Sequence, residues 1–435
     1  MRSLLAGMSR RHRLALMAVV LGAGLAVSLG VLDVAGVLPH KRTIATVITN
    51  PAFTSTNAPL APNMYSPTPR STASPVPTLS LPATASVASR PLLRTGPMVA
   101  DLLPGGSDDP PASLAAAPTP NPVYVAEDTL TGTGPGPAGP LSGLPTRPEL
   151  AKRRPVAVVL DNYSPDARPQ AGLNRASVVF ETVAEGGITR FMAVFLERDA
   201  PLVGPVRSAR IYFDSWAAGL NAIYGHAGGN NDALAELPSL TTISNVDGLV
   251  SSAFWRSGDR AMPHNLYTSS TGVRAAADIR GNSVALTRLL HKQPAPPALR
   301  PAGGSITIDF SRMEYNVEYR YNPKCNCYPR SMSATPHMDA ISLRQIAPSN
   351  VVVLYADVTP DHNSDTPGSV YVQTSGIGEA LYFRDGTETR GYWQKGAASD
   401  QLQLLNLKHQ PIALNPGQTW FEVVPTGNTV SWILR

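Results

Sequence analysis

Cysteine is nearly missing from this chain: Cys325 and Cys327 are the only two in 435 residues. Two are too few for a disulfide framework or for a zinc centre with four cysteine ligands. One residue separates them in Lys-Cys-Asn-Cys-Tyr, so a bond between them would close a small ring. An oxidising compartment permits that bond, but two free thiols in a loop are the expected state. Charge is scarce too. Asp, Glu, Lys and Arg make up 15% of the residues, too few for a chain that is globular throughout. A basic face is also lacking. The net charge is +5, but residues 1–42 hold six Lys and Arg against one acid, Asp33, and the remainder holds 30 of each sign. The excess belongs to the N-terminus, so no nucleic-acid partner is expected. There is no phosphate-binding loop, dinucleotide fingerprint or zinc spacing, and no cofactor or metal is implied.

What the chain does have begins with an anchor. Arg10, Arg11 and Arg13 precede an apolar run from Leu14 to Leu32, uncharged until Asp33. Such a run, about 28 Å long as a helix, matches the hydrocarbon core of a bilayer. Basic residues before the run outnumber those after it. This predicts a single-pass cell-membrane protein with a short N-terminus inside and the rest extracytoplasmic. A cleaved signal peptide ending near Ala26-Val27-Ser28 is the alternative. No cysteine follows the run, which excludes lipidation there.

Residues 43–150 hold 21 of the 42 prolines, in stretches such as Ser-Pro-Val-Pro-Thr and Gly-Pro-Gly-Pro, with no helical or strand periodicity. A segment of this kind cannot bury enough surface to offset its ordering entropy, so residues 43–140 are expected to be a disordered stalk.

The folded part is expected to be α+β: an α/β portion over 141–300, then a β-rich antiparallel portion over 301–435. Pro155–Leu160, Val178–Val183 and Phe191–Leu196 read as strands, the last two joined through Glu185-Gly-Gly-Ile-Thr-Arg190 as a hairpin. A helix capped by Ser208 is predicted to run toward Leu220. Asn230 is predicted to cap another through Leu237, and a third spans Thr271–His291. Ile306–Phe310, Val317–Tyr321, Val351–Val358, Val370–Gln373, Ala380–Phe383, Thr419–Val424 and Val430–Leu434 read as further strands.

These segments carry distinctive motifs: Arg154-Pro-Val-Ala-Val-Val-Leu-Asp-Asn162, Ala167-Arg-Pro-Gln-Ala-Gly-Leu173, Glu185-Gly-Gly-Ile-Thr-Arg-Phe191, Gly204-Pro-Val-Arg-Ser-Ala-Arg210, His226-Ala-Gly-Gly229, Pro263-His-Asn-Leu-Tyr-Thr268, Tyr382-Phe-Arg-Asp-Gly386 and Leu414-Asn-Pro-Gly-Gln-Thr-Trp420. With them, Leu141 to Pro425 resembles the YerB-like family of bacterial envelope lipoproteins. The resemblance implies a two-part domain on the outer face of the cytoplasmic membrane, and no established catalytic activity. The chain departs from the family in its apolar anchor, where typical members have a lipidated cysteine, and in Cys325/Cys327.

The same stretches concentrate polar groups: Asp161, Asn162, Arg168, Gln170, Glu181, Glu185, Arg190, Arg207, Arg210, His226, His264 and Asn265. They are candidates for one ligand-binding cleft. Arg207 and Arg210 have the chemistry to clamp a carboxylate or phosphate. Internal pairing with Asp161, Glu181 or Glu185 is an equal alternative. Glu181 and Glu185 are candidates for an acid and base in glycan hydrolysis, with Asp161 and His226 behind them. On an extended strand, however, they would lie about 13 Å apart. The expected function is a membrane-anchored binding or adaptor protein of the envelope, partnered by a cell-wall component or an envelope protein. A peptidoglycan hydrolase and a ligand-free structural domain are the alternatives.

Overall fold

The structure, a computed structural model, describes residues 44–46, 132–277 and 288–434. The apolar anchor and most of the proline-rich stretch lie outside these residues. No helix among the described residues is long and apolar enough to cross a membrane.

One ten-stranded sheet runs through both portions. Its strands are β1 (Val156–Asp161), β2 (Val178–Val183), β3 (Thr189–Phe195), β4 (Ile223–His226), β5 (Ser244–Asp247), β6 (Asn350–Ala356), β7 (Gly376–Arg384), β8 (Thr387–Lys395), β9 (Gln403–Asn406) and β10 (Thr419–Pro425). They lie in the order β9-β8-β7-β6-β10-β2-β3-β1-β4-β5. β10 pairs parallel with β6 on one side and β2 on the other. The C-terminal strands therefore complete the N-terminal sheet, so the C-terminal portion is β-rich, as expected, but not wholly antiparallel. Each of β1, β2 and β3 is buried along its whole length. Uninterrupted apolar runs are what a sheet covered on both faces requires.

Successive side chains point to opposite faces. Val178 and Phe180 meet Tyr212, Phe213, Trp216 and Ala217 of helix α1 (Ile211–Gly219) on one side. Val179 and Phe191 join Trp420, Ile306, Tyr319 and Val430 on the other. That second face is roofed by a small antiparallel sheet containing Val430–Leu434, Gly304–Ile308, Val317–Arg320 and Arg330–Met332. Here an antiparallel C-terminal sheet does form, with the strand Ile44–Thr46 added at its edge beside Val430–Leu434. That strand falls inside the expected stalk, as do residues 132–140. Backbone pairs such as Thr133 N to Pro145 O (3.0 Å) tie the latter segment down.

The helices are shorter than periodicity suggested. α1 starts at Ile211, and Ser208 makes no cap because it lies in an extended segment bonded to the sheet. α2 (Asn231–Glu236) follows Asn230, whose side chain makes no capping bond; a 3-10 turn then carries Leu237. α3 (Ser270–Ala276) is capped by Ser269, and residues 288–290 are not helical, so the long third helix is corrected. Residues 278–287 lie outside the described set.

Asp385 clamps three distant segments. Its carboxylate accepts Asn326 Nδ2 (2.8 Å), Asn415 Nδ2 (2.8 Å) and Ala295 N (3.1 Å), and pairs with Lys292. Burial acts to raise this carboxyl, but those donors outweigh it and hold it at about 2. Asp385→Ala leaves two buried amides without an acceptor and is expected to cost about 3 kcal/mol in urea unfolding. Asp385→Asn, which keeps the shape but not the charge, is expected to lose less.

Candidate functional site

Strands β1, β2, β4, β5, β6 and β10 all run in one direction, with β3 reversed among them. Ligand sites in such sheets form where neighbouring strands part beyond their carboxyl ends. β1 and β4 pair only over Val156–Val158 and Ile223–Gly225. Beyond that point the segment Val206–Ala209 enters between them. Arg207 N bonds to Val159 O (2.9 Å), Ala227 N to Arg207 O (3.0 Å) and Ala209 N to Gly228 O (2.8 Å). This wedge carries Arg207 and Arg210 to the strand ends that hold Asp161, Glu185 and Arg190.

The rim consists of Asp161, Arg207 and His264. Asp161 Oδ2 lies 2.7 Å from His264 Nδ1 and 3.1 Å from Arg207 Nε, and Oδ1 accepts Tyr163 N at 2.9 Å. Tyr163 is 40% exposed and stacks on the His264 ring, with centroids 4.9 Å apart. Beneath the rim, Glu185 bridges two arginines. Oε1 pairs with Arg190, and Oε2 lies 2.9 Å from Arg210 Nη2. Burial acts to raise the Glu185 carboxyl, but Arg190 and Arg210 outweigh it and hold it at about 2. Burial opposes the Arg190 cation as well, and Glu185 with Asp161 more than offsets it. Arg207 and Arg210 are not fully offset. Burial draws both below the usual guanidinium range, and the neighbouring arginines add to the effect. Three guanidiniums thus face two carboxylates. The Nε atoms of Arg190, Arg207 and Arg210 are buried without a well-directed hydrogen bond. Of the three side chains only Arg207 reaches solvent appreciably, at 24% against 2% and 6%.

The other candidates lie elsewhere. Asn162, Arg168, Gln170 and Glu181 belong to a second network on the roofed face. Glu181 pairs there with Arg330, and both are fully buried. Its other oxygen accepts Thr189 Oγ1 (2.7 Å), and Asn162 Oδ1 accepts Arg168 Nε (2.9 Å) and Gln170 Nε2 (3.0 Å). Gln170 Oε1 meets His337 Nε2 at 2.8 Å. The Arg330 guanidinium lies 4.5 Å from the Trp420 ring centre and 3.8 Å from Glu422, which also accepts Tyr319 OH. Burial, with Glu181 alongside, holds the Glu422 carboxyl well above its ordinary range. His226 is buried, its ring nitrogens meeting Gly228 O (2.8 Å) and Asn245 Oδ1 (2.6 Å). Asn265 is spent on Ser257 O and Arg256. Among the described residues no group of three or more His, Cys, Asp and Glu is placed to hold a metal ion. Arg330, Tyr319 and Glu422 were not singled out from the sequence. Arg330 lies 149 residues from Glu181, and nothing local marks either as the other's partner.

Cys325 and Cys327 form a disulfide, correcting the expectation of free thiols. Their turn reverses the chain through Asn326, at φ +53°, a left-handed conformation that Asn tolerates.

Two profiles described as the N-terminal and C-terminal domains of a protein of unknown function, DUF3048, match residues 141–283 and 306–421. The Bacillus subtilis protein YerB is 34% identical over 301 residues, spanning 66% of this chain and 86% of YerB. This chain belongs to the YerB-like family. The crystal structure of YerB from Bacillus subtilis superposes with a TM-score of 0.59 at 30% identity, covering 67% of this chain and 99% of that one. The matched residues span the Arg207 rim, Glu181 and Arg330, and stop just before Glu422.

Proposed function

We propose that this protein is a non-catalytic binding protein of the bacterial envelope, tethered to the membrane by its N-terminal segment. Its Asp161–Arg207–His264 rim would take an anionic group of a cell-wall component or envelope partner. The observation that carries this reading is Arg207, the most solvent-accessible arginine of a cluster holding one guanidinium more than its carboxylates. A carboxylate or phosphate there gains a charge-assisted hydrogen bond and offsets a half-buried cation. Family membership supports the location, since YerB is named as a candidate lipoprotein. The proline-rich segment would hold the domain at a raised local concentration near the membrane. A glycan-hydrolase reading needs an accessible carboxyl that keeps its proton. Glu185 is held below the ordinary carboxyl range, and Glu422, though raised, is sealed from solvent.

The test is co-sedimentation of the detergent-solubilised full chain with isolated cell-wall sacculi, with mass spectrometry of the supernatant. Wild type is expected to be retained without releasing glycan fragments. Arg207→Ala is expected to weaken retention at least tenfold while leaving a cooperative melt, and Arg207→Lys to keep part of it. Equal retention of Arg207→Ala would remove the rim from the binding role. Released fragments would replace this reading with the hydrolase.

A further inference from the structure

The Cys325–Cys327 bond does little that its surroundings do not already do. It closes the shortest loop that still has a residue between the cysteines, and chain-entropy gain falls as the closed loop shortens. The turn is held independently. Asn322 N donates to Cys327 O (2.9 Å) and Cys327 N to Asn322 O (3.3 Å). Asn326 is buried between the cysteines, accepting Tyr321 OH (2.8 Å) and donating to Asp385 (2.8 Å). With Asn326 pinned on both sides, the cysteines stay neighbours, their Cα atoms 5.2 Å apart, whether or not the sulfurs are joined.

The two sulfurs are also unequal. Cys325 stands exposed at the tip, whereas Cys327 is half-buried. Lys324 precedes Cys325, Arg300 donates to Pro323 O (2.9 Å), and no acid occurs between Tyr319 and Met338. The nearby carboxylate, Asp385, is occupied by Lys292 and three further donors. The turn thus has basic residues and no acid in its own sequence, a composition that favours thiol–disulfide chemistry.

We propose that Cys325–Cys327 is a thiol–disulfide exchange site that passes its disulfide to a dithiol of a partner protein. A thiolate of the partner attacks Cys325 Sγ. The Cys325–Cys327 bond breaks, and Cys327 leaves as the thiolate and takes up a proton. The partner's second thiolate then attacks its own sulfur in the mixed disulfide, releasing Cys325. Two electrons and two protons move to Cys325 and Cys327, and the partner gains one disulfide.

The experiment mixes the oxidised full chain with a reduced peptide carrying Cys-x-x-Cys, quenches with N-ethylmaleimide and counts alkylated cysteines by mass. One disulfide is expected to pass per chain, with the near-ultraviolet circular dichroism of the protein unchanged. Starting from the oxidised peptide, Cys327→Ser is expected to form a mixed disulfide through Cys325 at least tenfold faster than Cys325→Ser does through Cys327. A bond that the peptide leaves intact in the native protein, or a reduced protein that loses its tertiary spectrum, makes the disulfide a structural staple and overturns the proposal. Equal rates for the two variants overturn the assignment of Cys325 as the attacked sulfur.

Discussion

Replacing Arg330 with methionine is expected to cost about 3–5 kcal/mol, enough to take most of the stability of an ordinary domain. Arg330 is the cation between Glu181 and Glu422, and all three side chains are fully buried. Its charge also lies over the Trp420, Phe191 and Tyr319 rings. Without it, Glu181 and Glu422 lie together in a space closed to water, where burial favours neutral acids. The variant should therefore be more stable at pH 5 than at pH 8, opposite to the usual gain as carboxylates ionise. Glu181→Gln should be much milder, at about 1–2 kcal/mol. Glu422 lies 3.8 Å from Arg330 and is the remaining carboxyl that can pair with it. Urea unfolding of both variants at the two pH values checks this. Equal losses for Arg330→Met and Glu181→Gln would mean that Glu422 cannot take over.

Glu185→Gln is expected to destabilise by about 3 kcal/mol at pH 7, because it strands Arg190 and Arg210 in the interior. The pH dependence has a definite sign. The Glu185 carboxyl is depressed from an ordinary 4.5 to about 2 in the folded state. Its contribution is then fully present above about pH 4.5 and is lost as the pH falls toward 2. Wild type and Glu185→Gln should differ most at neutral pH and converge in acid, read as the gap between their unfolding midpoints. A gap that stays constant from pH 7 to pH 2 would mean that Glu185 acts through shape alone.

The sequence was most legible where one physical constraint acts locally. Val156–Asp161 and Val178–Val183 are strands because valine-rich, largely apolar runs suit a doubly covered sheet. Internal pairing of Arg207 and Arg210 with Asp161, Glu181 or Glu185 is one of two equal alternatives in the sequence; the structure pairs them with Asp161 and Glu185. What stayed hidden is non-local. Thr419–Pro425 reads as a strand, but nothing in it announces a parallel partner at Val178, roughly 240 residues earlier. Ser208 resembles a helix cap until the chain before Ile211 is drawn into the gap between β1 and β4. The twelve polar candidates looked like one group because they share motifs. The sheet divides them, sending Glu181 to the roofed face and leaving Asp161 and Arg207 at the strand ends.

The central place of β10 also sets the order of events during synthesis. Its neighbours β2 and β6 each leave the ribosome with an unfinished edge, and neither can pair across the gap until Thr419–Pro425 has been made. Neither portion therefore closes the sheet alone, and the arrival of one strand, rather than the collapse of either half, commits the protein to its fold.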